Sequence, residues 1–268
     1  MGSIHRRFFL KPILLLCVVT LAFLLNASVV LEANAEQIRL YDAHYEGEVE
    51  GFSFDTVRSL YQEDETTFGF ISVSKRPLAY LREAARVKLL NGVLVPMNYE
   101  YKAKILGIRR DHSINFNWIG KYARFERSDK PEKNENIPIV AGFLDPLSMQ
   151  LEIQRAAIQG LDQVEVSYIR KDSTRNETFR KQPTRETLTL EGKQLQTVMY
   201  SSSYRDKETR IYLVPALSYA IGRIVYVDDE GDEAEAKLYK YRVNDEERSR
   251  LSRFLSSMNQ AIELSQRS

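Results

Sequence analysis

An alternating run within thirteen residues constrains this chain more than any other feature. In "VLVPMNYEYKAKI", Val93, Val95, Met97, Tyr99, Tyr101, Ala103 and Ile105 share one parity, and Pro96, Asn98, Glu100, Lys102 and Lys104 the other. Side chains alternate across a strand, so the spacing predicts one strand with a dry face and a wet face. Pro96 lacks an N–H for the ladder, which predicts an edge or an irregular start at that point. Shorter alternations recur at Ile114, Phe116 and Trp118 and at Val164, Val166 and Tyr168. "GFSFDTVRSLY" and "TFGFISV" are rich in the aromatic and β-branched residues that strands favour. "EGK" from Glu191 and "DDEGDE" from Asp228 read as hairpin tips. About ten to thirteen strands result, a number that suits a mainly β fold: a curved antiparallel sheet or half-open β-barrel. An outer-membrane barrel would need many strands apolar on the lipid side and would not usually finish in a polar helix.

Two segments break the strand pattern. In "GFLDPLSMQLEIQR", Asp145 suits a helix N-cap and Pro146 the first helical position, where a missing N–H costs nothing. Leu147, Leu151, Gln154 and Ile158, with Met149 and Ile153 beside them, follow at helical spacing until Gly160 ends the run. A short internal helix is expected, lying across the concave face or plugging one end of the sheet. The last segment, residues 244–268, begins with Asn244 as N-cap and Glu247 as the reciprocal partner of a capping box. Leu251, Phe254, Leu255, Met258, Ala261 and Ile262 form the apolar stripe of this amphipathic C-terminal helix. It packs on the sheet, or serves as a lid or a docking helix.

Residues 1–35 are expected to be a signal peptide. His5, Arg6, Arg7 and Lys11 precede the apolar run Pro12 to Leu25, and "ANA", Ala33 to Ala35, fits the cleavage rule. Cleavage before Glu36 would deliver residues 36–243 as a β-rich periplasmic domain, with 244–268 as its helix. The alternative is an uncleaved N-terminal anchor holding the same domain in the periplasm. Cys17 is the only cysteine and lies inside the apolar run, so the mature chain has no thiol for disulfides or metal ligation. Without Arg6, Arg7, Lys11 and Glu32, the 38 basic and 37 acidic residues become 35 and 36. So even a balance offers no field for nucleic acid. "SDKPEKNENIP" from Ser128 reads as an exposed loop.

Chemistry is sparse. The mature chain has only His44 and His112, which make no metal site by themselves. Asp42, His44 and Glu46 would share a strand face, either as a small polar site or as a solvent-facing row of mixed charge. Ser148 lacks the glycines of a nucleophile elbow, and no phosphate-binding loop or dinucleotide fingerprint is present. No catalytic residue, metal or cofactor is assigned. The aromatic load says more. Phe52 with Phe54, Phe68 with Phe70, Met97 with Tyr99 and Tyr101, and Phe116 with Trp118 each align on one strand face. On a curved sheet these faces converge, either as a filled core or around a cavity for an apolar molecule.

The order of "YDAHYEGEVEGF", "NGVLVPMNYEY", "FNW", "LDPLSMQLEIQR" and "RIYLVPALSYAIGRI" resembles the exported bacterial family catalogued as domain of unknown function 3108, over about Arg39 to Val243. The chain departs from that pattern at Asn117, at "YLVP" (Tyr212 to Pro215), at "AIGR" (Ala220 to Arg223) and in its long final helix. The resemblance implies an exported antiparallel β fold similar to the half-open barrels of lipoprotein carriers. It also implies structural roles for the motif residues Asp145, Pro146, Leu147, Ser148 and Pro215. By fold analogy the expectation is a non-enzymatic periplasmic protein that binds a lipid or a lipoprotein acyl chain. The alternatives are an envelope protein-interaction module with a filled core, and an enzyme centred on Asp42 and His44.

Overall fold

The computed structural model describes residues 37–49, 52–243 and 245–259. The segment expected to be a signal peptide, the expected Asn244 cap and the stripe residues Ala261 and Ile262 lie outside the described residues.

The described residues from Ile38 form one unit built mainly of β-strands. The first run is β1 (Ile38–Val49), β2 (Phe52–Gln62), β3 (Thr67–Arg76), β4 (Ala79–Leu90), β5 (Val93–Ile105), β6 (Ile108–Asn117), β7 (Tyr122–Arg127) and β8 (Glu135–Pro138). After β9 (Phe143–Leu144) comes helix α1 (Pro146–Ile158), then β10 (Gln163–Arg170), β11 (Ser173–Lys181), β12 (Thr187–Leu190) and β13 (Lys193–Gln196). β14 (Val198–Tyr204), β15 (Lys207–Val214), β16 (Ala220–Val227), β17 (Glu233–Val243) and helix α2 (Arg248–Asn259) complete it. Among the described residues fifteen strands form one sheet, and β12 and β13 form a separate hairpin. The excess over the expected number comes from pieces of two to four residues, β8, β9, β12 and β13, too short to register as a period.

The sheet order is β8-β7-β6-β5-β4-β3-β2-β1-β17-β16-β15-β14-β11-β10-β9. Two meanders therefore meet where the first strand pairs with the last, antiparallel from Tyr41 opposite Val243 to Glu48 opposite Glu235. The free edges are β8 and β9, which are consecutive in sequence and separated only by residues 139–142. The sheet curves back on itself without closing, and the chain crosses its own opening there. β9 lies against β5 across that opening. The mainly β, half-open expectation is met.

The filling of the curve follows from α1. The Asp145 carboxylate accepts the Leu147 and Ser148 N–H groups, each at 2.9 Å, and Pro146 occupies the first turn, as capping chemistry predicts. At the other end Gly160 takes φ +70°; its N–H reaches the Ala157 carbonyl while that of Leu161 reaches Ala156, a paired closure that glycine makes cheap. Buried residues surround much of the helix: Leu147, Met149, Leu151, Ile153, Gln154, Ala156 and Ala157. It packs on β4, β5 and β10 at once. The Arg58 guanidinium, 5.1 Å over the Tyr45 ring, donates to the Gln150 side chain and ties β2 to this helix.

Helix α2 docks Leu251, Phe254 and Met258 into the same core, with the Phe254 and Phe68 rings 4.5 Å apart. Its first turn, Asp245–Glu247, is a 3₁₀ helix, so α-helical geometry begins later than the capping box implied.

One correction concerns β5. Asn98 faces Arg86 and Pro96 faces Val87, so Met97 is an extra residue inserted against β4. Such a bulge switches the faces of everything before it. Leu94 and Pro96 are buried while Val93 is half exposed, the reverse of the single seven-residue dry face expected for the strand; Tyr99 and Ala103 keep the predicted side. Pro96 thus marks an irregular start, and it lies beyond the β6 ladder, which begins at Asn98. Its carbonyl accepts the Trp118 indole N–H at 2.7 Å. Trp118→Phe keeps the stack on Phe116 but deletes that bond. Its expected cost is about 1 kcal/mol in urea unfolding, with an unchanged slope against urea concentration.

Candidate functional site

A cavity of about 370 Å³ opens where the β4–β7 face meets the start of α1 and the end of β10. Four of its side chains form one cross-strand row, because Glu83 stands opposite Tyr101, Tyr101 opposite His112, and His112 opposite Arg127. Directly opposed residues on adjacent strands lie about 5 Å apart, so the row makes a continuous wall. The His112 ring stacks on Tyr101 at 4.6 Å and 21° and lies 5.6 Å from Phe125. Tyr99 lies beneath and donates its hydroxyl to Glu83 at 2.6 Å. Pro146, Arg170 and Lys171 face this wall from the other side.

Charge is distributed unevenly. Arg127 is taken up by Asp129 through two bonds of 2.9 and 2.6 Å, and Asp111 by Arg109. Arg110, Arg170 and Lys171 line the cavity with no ion pair among the described residues. Burial, then the Arg127 and Lys171 charges, pushes the His112 imidazole down to about 4, so it is neutral at pH 7 and a weak base. Burial, reinforced by Glu83, raises the Tyr99 and Tyr101 phenols and keeps them protonated. The arrangement has an aromatic wall for a flat or apolar group and three free cations for an anionic one.

Asp42, His44 and Glu46 do share a face, the outer one. There Asp42 accepts from Ser59 and from Arg39, and His44 meets Tyr239 edge-on at 6.1 Å. Lys240 and Arg242 stand opposite them on β17, which makes a mixed-charge surface row. A second cavity of about 300 Å³ lies beside the β12–β13 hairpin, but Arg223 there is neutralised by both Glu186 and Glu235.

Of the aromatic positions singled out in the sequence, Tyr99 and Tyr101 line the larger cavity. Phe68 and Phe70 are buried in the core, and Phe116 stacks on Trp118 at 5.6 Å, both partly buried against that core. Met97 is the bulge residue, and Phe54 lies over Gly47 at the β1–β2 pairing. The side chain of Phe52 lies outside the described residues. Among the motif residues, Asp145 to Ser148 build the start of α1, and Pro215 opens a 3₁₀ turn between β15 and β16. The sequence reading did not pick out His112, Arg110, Arg127, Arg170 or Lys171 as a site. His112 and Arg110 do share parity with Ile114, so the β6 alternation extended backward would have aimed them inward.

The fold is similar to the crystal structure of a beta-barrel-like protein of domain of unknown function DUF1849 from Brucella abortus. The two share 11% sequence identity with a TM-score of 0.50, over 78% of this chain and 99% of that one. At that identity the likeness is one of fold, a β-barrel-like architecture. No protein-family model matches the chain, and no curated protein does.

Proposed function

We propose that this is an exported periplasmic protein of the family 3108 type, released by cleavage before Glu36, that binds an amphiphilic ligand without transforming it. The carrying observation is the composition of the larger cavity, in which the Tyr101–His112 stack stands against Arg110, Arg170 and Lys171. Such a site suits a lipid or lipid-like molecule whose apolar part lies on the aromatic wall and whose acidic group meets the cations. A neutral imidazole at pH 7 and a Glu83 already engaged by Tyr99 favour binding over catalysis. A second reading, an envelope interaction module, is favoured by one specific observation: Phe68, Phe70 and both helices share a filled core.

Native mass spectrometry of residues 36–268, purified gently from the periplasm, separates the two. Carriage predicts an additional mass extractable into organic solvent, reduced about tenfold in occupancy in a Tyr101→Ala/Arg170→Gln variant. A clean protein mass, also after incubation with envelope lipids, would move the assignment to the interaction module.

A further inference from the structure

Two neighbouring hairpin tips carry exposed aliphatic side chains that neither the core nor the cavity uses. The β3–β4 and β5–β6 turns are joined by a hydrogen bond from the Leu106 N–H to the Leu78 carbonyl at 2.9 Å, and Ala79 pairs with Ile105. Leu78 is 77% exposed, Leu106 72% and Ile108 61%, with Ile105 beside them also exposed. Scattered exposed aliphatics are ordinary, but four on two linked tips form a patch.

Turn chemistry does not explain these leucines. Leu78 has φ +64° and Leu106 has φ +50°, the left-handed region where glycine or asparagine is favoured and a bulky side chain is strained. The chain keeps leucine at both positions at a cost to its own fold.

The surroundings supply the second argument. Ser74 to Tyr80 and Lys102 to Asp111 together contain six basic residues, Lys75, Arg76, Lys102, Lys104, Arg109 and Arg110, and one acidic residue, Asp111. Asp111 is already occupied by Arg109. Lys75, Lys104 and Arg110 make no ion pair among the described residues. An aliphatic tip ringed by cations complements one kind of surface, where negative headgroups overlie hydrocarbon. Arg110 belongs both to this ring and to the cavity lining, so the patch borders the cavity mouth.

We propose that the Leu78 and Leu106 hairpins dock the domain on an anionic phospholipid bilayer, the aliphatic side chains entering the headgroup–acyl boundary and the basic residues lying against phosphates. This goes beyond the ligand-binding reading and does not depend on it, because the aliphatic residues that dock lie outside the cavity lining.

The test is co-sedimentation of residues 36–268 with phosphatidylcholine vesicles, with and without phosphatidylglycerol. This piece carries the entire sheet, both helices and the core, and lacks the apolar run of residues 12–25 that would bind vesicles by itself. Partition only into vesicles with phosphatidylglycerol, weakening with salt, is expected. Leu78→Asn/Leu106→Asn should lower it about tenfold while leaving thermal stability unchanged or higher, since asparagine suits both backbone conformations. Lys75→Gln/Lys104→Gln should weaken partition and flatten its salt dependence. No partition by the wild type, equal partition into neutral vesicles, or an asparagine variant that binds as well as wild type would each overturn the proposal. So would a dimer in solution that the asparagine pair abolishes while vesicle binding stays absent, because a second copy would then be the occupant.

Discussion

Replacing Asp145 by asparagine is expected to stabilise the protein at pH 7 by about 2 kcal/mol, with an advantage that fades on acidification. Burial, opposed by the hydrogen bonds from Ser148 and Leu147, raises this carboxyl from 3.8 to about 6. The folded value lies above the unfolded one, so the stability linked to this proton is complete below about pH 4. It is lost as pH rises through 6. Asparagine keeps the cap acceptor and removes the buried charge. The readout is the difference between variant and wild-type unfolding free energies, which falls toward zero between pH 7 and pH 4. Alanine behaves differently: it strands the two N–H groups and the Ser148 hydroxyl that Asp145 now accepts. Asp145→Ala should cost about 2 kcal/mol at pH 7 and more at pH 5, where the wild type has regained its proton. If asparagine and alanine fall equally, the cap is not what the carboxylate supplies.

Gly47→Ala is expected to cost about 3 kcal/mol and lower Tm by about 10 °C. A Cβ at Gly47 would stand 2.3 Å from the Phe54 ring and 2.4 Å from the Glu235 carbonyl oxygen. The ring can turn away, but the carbonyl belongs to β17, which pairs with β1 there. Relief would require the two strands to separate at the junction of the meanders. Gly69→Ala is the control. Its nearest atoms would lie at 3.8 and 3.9 Å, so it should be neutral or stabilise by about 0.5 kcal/mol. Equal melting of the two variants would show that the β1–β17 pairing is not tight.

These devices differ in how far the sequence displays them. The start and end of α1 are legible because Asp145, Pro146 and Gly160 act on backbone groups within a few residues of themselves. The Met97 bulge is less so: Val93 to Met97 is an unbroken apolar run that hides a change of face, and the inserted residue is defined only against Val87 and Arg86 of its partner. The candidate site was half legible. Tyr99 and Tyr101 follow from parity, whereas His112, Arg127 and Arg170 meet them through pairings and a crossing that alternation does not encode. Leu78 and Leu106 read as ordinary strand-end aliphatics until their exposure and backbone conformation are known.

The pairing of the first strand with the last has a kinetic consequence. Within each meander most partners are sequence neighbours, but Tyr41 waits for Val243. Local hairpins can form as the chain emerges, while this junction must close a loop of about 200 residues, the slowest kind of contact to make. Until then β1 presents an unpaired edge, the feature most prone to association with other chains. Truncation anywhere before β17 therefore leaves a chain with good local structure and an open, adhesive flank. The last strand decides whether the molecule is finished.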